Sequence, residues 1–136
     1  MKNLQTLQLI SNLFSFKVIC DKKGTEYVVF KNSTINNITE DIRDRTAFEA
    51  QENHVHLLDH IRKKEVDTLA YIGSNLAKAL LHSLKAAFIE KDFVVFLTIS
   101  VNDSMIIRFH QRWNNEEYYY NIADESPDSR IIMFES

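Results

Sequence analysis

The chain has 136 residues, 45% of them hydrophobic and 26% charged, with a net charge of −3. One ordinary domain of this size can bury a core without disulfide or metal staples. A balance this close to neutral argues against free nucleic acid as a partner of the whole molecule and leaves room only for a local basic patch. With two glycines, Gly24 and Gly73, and one proline, Pro127, no Gly-rich phosphate loop or dinucleotide fingerprint can be written.

Cys20 is the single cysteine, so an intrachain disulfide, a CxxC pair and a thiolate zinc cage are all excluded. It sits in an apolar strand-like run, where a thiol is ordinarily inert. The leucine-rich start, MKNLQTLQLISNLFSFKVIC, is interrupted by Gln5, Gln8, Ser11, Asn12 and Lys17 and reads as mature structure, not a leader. No run approaches a membrane span. A cytoplasmic protein without cofactor and without a membrane partner is the expectation.

Along the chain, Leu4, Leu7, Ile10 and Phe14 recur at helical spacing. SFKVICDKKGTEYVVFK places two β-rich runs around Asp21-Lys22-Lys23-Gly24, a hairpin pattern. In STINNITEDIRDRTAFEAQEN, Ile35, Ile38 and Ile42 fit a helix capped by Thr39, with a long loop as the rival. NHVHLLDHIRKK fits a short strand or a short helix equally. From Asp67 to about Phe88, Leu69, Ile72, Leu76, Leu80, Leu84 and Ala87 form an apolar stripe beside Gly73 and Ala77, with Asp67 as N-cap.

DFVVFLTISVNDSMIIRFHQRW predicts a second hairpin. A two-residue loop at Asn102-Asp103 would set Leu97 against Arg108 and mismatch the whole ladder. A three-residue loop, Asn102-Asp103-Ser104, pairs Val101 with Met105, Ile99 with Ile107, Leu97 with Phe109 and Phe93 with Trp113. Polar, acidic NNEEYYYNIADESPDS and a last strand, RIIMFES, complete the chain. No repeat or linker divides it, so residues 1–136 read as one α+β domain: an antiparallel sheet built from hairpins, with a long amphipathic helix packed on one face.

The hairpin's other face carries Arg108, His110 and Arg112. Forked guanidinium donors suit carboxylates or phosphates, and the same arginines could instead pair internally with Glu40-Asp41 or Glu116-Glu117. Tyr118, Tyr119 and Tyr120 follow in succession and cannot all face one core, so at least one ring should be outward. Tyrosine and arginine are enriched at binding hot spots. HVHLLDH offers His54 with His56, or His56 with His60 and Asp59, but no third ligand or HExxH motif, and solvated histidines are the default.

The stretch DSMIIRFHQRWNNEEYYY, residues 103–120, resembles segments of small bacterial orphan proteins, among them immunity proteins of toxin–immunity pairs. The resemblance implies a small cytoplasmic protein that binds a toxin domain stoichiometrically and without turnover. The residues themselves point to a non-enzymatic protein-binding module using Arg108, His110, Arg112 and Tyr118 to Tyr120. A phosphate- or phosphodiester-directed enzyme using His110 with Arg108 and Arg112 is the alternative. A structural homodimer is the third reading.

Overall fold

The computed structural model describes residues 2–136. Helix α1, Lys2–Leu13, forms where the leucine spacing places it, yet Leu13 is its only buried residue. Leu4, Leu7 and Ile10 face solvent. Strands β1, Phe16–Cys20, and β2, Glu26–Phe30, make a two-stranded antiparallel sheet. Its turn is organised by the Asp21 carboxylate, which accepts from the backbone N–H groups of Lys23 and Thr25, both at 2.9 Å. Gly24 takes the left-handed φ of 84° that the turn requires. Cys20 lies on the outward side of β1 and is exposed.

The helix expected from Ile35 begins ten residues later, at Arg45: α2 spans Arg45–Glu52. Asp44, not Thr39, is the N-cap, accepting from Ala47 N at 2.9 Å. Upstream, Ile35, Ile38 and Ile42 stay in a loop and pack with Ile19, Tyr27, Val29, Phe48 and Trp113. Asn and Thr are poor residues for a helix interior, Ser33 Oγ accepts from Ile35 N at 3.3 Å, and a loop can bury those isoleucines as well as a helix can. His54–Asp59 is a strand, β3.

Helix α3 runs Val66–Ala87 after a 3-10 turn at Lys63–Glu65. Asp67 lies in its first turn and is not the cap; Glu65 occupies that position. The buried seam is Leu69, Ala70, Gly73, Ala77, Leu80, Leu81 and Leu84, rotated away from the expected stripe so that Ile72 is outward. The small residues decide this. A Cβ at Gly73 would stand 2.7 Å from Cδ2 of Leu97, so the helix lies directly on β4, and a glycine is what permits it.

β4, Phe93–Ser100, β5, Ser104–Gln111, and β6, Ser129–Glu135, join β3 in a four-stranded antiparallel sheet of order β3-β5-β4-β6. The β4–β5 register differs from the expected one. Leu97 faces Ile107, Val95 faces Phe109 and Phe93 faces Gln111, while Trp113 lies beyond the ladder. The connection is Val101-Asn102-Asp103, with Asn102 at φ 63°. Tertiary bonds place it there: Asn102 N donates to Ile61 O at 2.8 Å and Val101 N to Asp128 O at 2.9 Å. The alternation survives, because the slip is even. Val95, Leu97, Ile107 and Phe109 share the α3 face, whereas Val94, Phe96, Arg108 and His110 point the other way.

Candidate functional site

The face of the sheet opposite α3 is covered by residues 118–122, with Ala50 of α2 reaching Arg108 beside them. Val94, Phe96, Ile131 and Met133 pack there with Tyr119 and Tyr120. Arg108 is clasped beneath them. Its guanidinium carbon lies 5.0 Å from the Tyr119 ring centroid and 5.4 Å from that of Tyr120, and Nη1 donates to Ala50 O at 2.8 Å. Its Nε is buried without a partner. None of the acids expected to neutralise the stripe reaches it: Asp41 pairs with Lys23, and Glu116 pairs with Arg45 at 2.7 Å.

His110 is 1% exposed. Its Nδ1 lies 2.7 Å from Gln111 O, to which it donates, and Nε2 accepts from Tyr119 N at 3.3 Å. The ring is therefore a neutral Nδ1–H tautomer with both nitrogens occupied. Burial pushes its pKa below the usual histidine range, against an upward pull from the Gln111 hydrogen bond. Arg112 separates from these two. It lies just beyond β5, its N–H still bonding Asp92 O at 2.9 Å in the β4–β5 register, and its guanidinium reaches Glu135 at 3.5 Å on the surface. Tyr118 donates its hydroxyl to the same carboxylate. The expected continuous basic stripe thus divides into a buried pair and an exposed Arg112–Glu135–Tyr118 cluster.

Two open grooves flank Tyr118. One, of about 550 Å³, lies between the start of α2 and the covering segment and is lined by Arg43, Thr46, Glu116, Glu117, Tyr118 and Tyr119. Glu116 closes its floor, accepting from Thr46 N at 2.7 Å, from the Thr46 hydroxyl at 2.8 Å and from Arg45 Nε at 2.7 Å. Those donors hold its carboxyl below the usual carboxylate range even though desolvation opposes them. The other groove, of about 350 Å³, is lined by Tyr118, Tyr120, Ile122 and Met133.

A third assembly went unread in the sequence. Glu49 of α2 is fully buried and accepts four N–H groups: Val28 N at 2.9 Å, Gln111 N at 2.8 Å, Gln111 Nε2 at 2.7 Å and Trp113 Nε1 at 2.7 Å. One turn on, Asn53 accepts from Phe30 N at 3.1 Å and donates to Val28 O at 2.8 Å, while its own carbonyl takes Phe109 N at 3.1 Å. The edge of β2 is thereby joined, through Glu49 and Asn53, to the end of β5 that β3 leaves uncovered. Desolvation pushes the Glu49 pKa up to about 7, although all its hydrogen bonds pull downward. A signal existed: Thr46, Glu49, Ala50 and Asn53 share one helical face, but polar residues in that pattern look like a solvated side.

His54 and His56 stand with ring centroids 5.7 Å apart at the sheet edge, and His56 lies 3.8 Å from Asp59. Among the described residues no group of three potential metal ligands assembles. Nor, among them, is any helix long and apolar enough to cross a membrane. Residues 6–136 match the model of the Uncharacterized protein PM0498 family. No curated protein and no solved structure matches the chain.

Proposed function

The chain belongs to the Uncharacterized protein PM0498 family, and we propose that it is a non-enzymatic protein-binding module. Its contact surface is Arg112, Tyr118 and the groove walls beside them, with Arg108, His110, Tyr119 and Tyr120 as the base that holds this surface in shape. The observation that carries the reading is the division of labour within the tyrosine run. Tyr119 and Tyr120 are anchored over Arg108, so Tyr118 is presented outward between two grooves on a preorganised support. An outward tyrosine beside an arginine is the composition of a binding hot spot. His110 has no free nitrogen for proton transfer and its ring is closed off, which favours binding over the phosphate-directed reaction.

An immunity-type inhibitor of a toxin domain is the narrower form of this proposal, supported by the resemblance of residues 103–120. The cytoplasm is the matching compartment, since a reducing environment keeps an exposed thiol such as Cys20 from oxidation. The test is site-specific photo-crosslinking in the native host from position 118, with Asn75 on the exposed side of α3 as control. A protein captured from 118 alone is then purified and titrated against wild type and Arg112→Gln/Tyr118→Ala. We expect an affinity loss of about thirtyfold or more with an unchanged thermal midpoint, as for truncated hot spots. Capture equal at both positions, or affinity unchanged in the variant, overturns the reading.

A further inference from the structure

β3 is an edge strand, and it brings two imidazoles together. His54 and His56 alternate along it opposite Arg108 and Ile106 of β5, so both rings stand on the sheet face turned away from α3. Both are exposed. Val55 between them points the other way and packs against the core, which holds the strand in place beneath the rings. The bulge between His56 and Leu58 adds a third group. In a regular strand, residues three apart face opposite sides, and Asp59 would be lost to His56. The extra residue, Leu57, returns Asp59 to the His56 face, opposite Ser104, with its carboxylate 3.8 Å from His56 Nδ1.

The ring nitrogens are assigned by what they touch. His54 Nδ1 lies 2.7 Å from Gln51 O, and a carbonyl only accepts, so Nδ1 carries the proton and Nε2 the lone pair. At His56 the Asp59 carboxylate draws the proton to Nδ1 in the same way, by charge at a distance too long for a hydrogen bond. A metal-bound histidine characteristically donates its second N–H to a carbonyl or a carboxylate. β3 presents that arrangement twice, on neighbouring rings. Their spacing fits one ion between them. A Zn–N bond of about 2.0–2.1 Å puts the metal about 3.2 Å from a ring centre, so two rings at a tetrahedral angle stand about 5.2 Å apart. The observed 5.7 Å is wider by about half an ångström, which exposed rings close by side-chain rotation.

We propose that His54 and His56 chelate a divalent metal ion of borderline softness, such as Zn2+, through their Nε2 atoms, with Asp59 and Gln51 O orienting the rings. Two neutral imidazoles select this class of ion, because Ca2+ and Mg2+ take oxygen ligands. Among the described residues no third protein ligand converges, so water or a donor from another molecule completes the coordination. The site is therefore open, unlike a closed structural zinc cage. Arg108, the cross-strand partner of His54, is a cation on the same face. Its guanidinium is held away from the ion, over Tyr119 and Tyr120, with Nη1 donating to Ala50 O.

This inference does not rest on the Tyr118 surface, whose groove borders β6 at the other edge of the sheet, and it fails separately. Tag-free protein titrated with ZnCl2 by calorimetry should bind a single ion per chain, and CaCl2 should give no binding. In proton–nitrogen spectra of the imidazoles, Zn2+ should shift the Nε2 resonances of His54 and His56 while Nδ1 of each stays protonated. His54→Gln and His56→Gln should each weaken binding by about tenfold or more, to the level of the double variant, because one imidazole alone cannot chelate. His82→Gln, at an exposed position of α3, should leave binding unchanged. No saturable binding, ligation through Nδ1, or a single variant that keeps wild-type affinity overturns the proposal. An equal loss in His82→Gln also overturns it. Should either variant at β3 fail to fold, the imidazole spectra of the wild-type protein decide alone.

Discussion

Two buried junctions hold this molecule together, and they work by different physics. Where α3 meets β4, the contact is apolar: Leu69, Ala70, Gly73, Ala77 and Leu97 close on one another without a polar atom to satisfy. Where the β1–β2 hairpin meets β5, Glu49 and Asn53 supply the missing strand partners. An apolar junction is tolerant, because burial has no direction and a slipped ladder can still present isoleucine to leucine. A polar junction is not. Each buried N–H must find its acceptor, so the network admits one placement of the hairpin, and errors cost whole hydrogen bonds.

Truncating each junction sharpens this contrast. Glu49→Ala strands the N–H groups of Val28, Gln111 and Trp113 and should destabilise by about 3–5 kcal/mol, the range for breaking a buried polar network. Its damage should concentrate in the hairpin, with fast amide exchange in β1 and β2 before the four-stranded sheet opens. Leu97→Ala should cost roughly 2–5 kcal/mol as a cavity under Gly73, with exchange accelerated evenly across α3 and β4. Chemical denaturation with residue-resolved exchange reads both. Equal exchange patterns would erase the distinction between the junctions.

A pH titration tests the polar junction from another side. The folded pKa of Glu49, about 7, lies above its ordinary 4.5, so the folded state binds that proton more tightly than the unfolded chain does. Its contribution is therefore fully present below about pH 4.5 and is lost as pH rises to about 7, a loss of up to about 3 kcal/mol. His110, held below the usual histidine range, pulls the opposite way: its contribution is present above 6.5 and lost as pH falls. The measurement is the difference in unfolding free energy between wild type and Glu49→Gln from pH 5 to pH 8. It should narrow as pH rises. A difference independent of pH would mean that the four N–H donors outweigh burial and keep Glu49 ionised throughout.

The smallest effect belongs to the divided stripe. Arg112→Gln removes a half-exposed pair at 3.5 Å and should change stability by at most about 1 kcal/mol. Arg108→Gln removes the cation clasped by Tyr119 and Tyr120 and the bond to Ala50 O, for roughly 1–3 kcal/mol. Equal losses in the two variants would show that the covering segment does not hold Arg108 as described.

What the chain's own pattern determined was class and orientation. Alternation in FVVFLTIS and SMIIRFHQ settled which residues of β4 and β5 share the core, and the leucine and alanine spacing of 66–87 settled the long helix. Both are local periodicities, written into neighbouring residues and readable without knowing the rest of the molecule. Tertiary structure decided the rest. The β4–β5 register followed bonds from Ile61 and Asp128 to the connecting turn, far away in sequence. The seam of α3 followed the close approach of Leu97 to Gly73. His110 became a closed, neutral ring because the Tyr119 N–H donates to its Nε2, and Glu49 became a core residue because the edge of β2 and the uncovered end of β5 needed an acceptor between them. Polar residues carry no periodicity that separates a solvated face from a satisfied one; only the partners that surround them do.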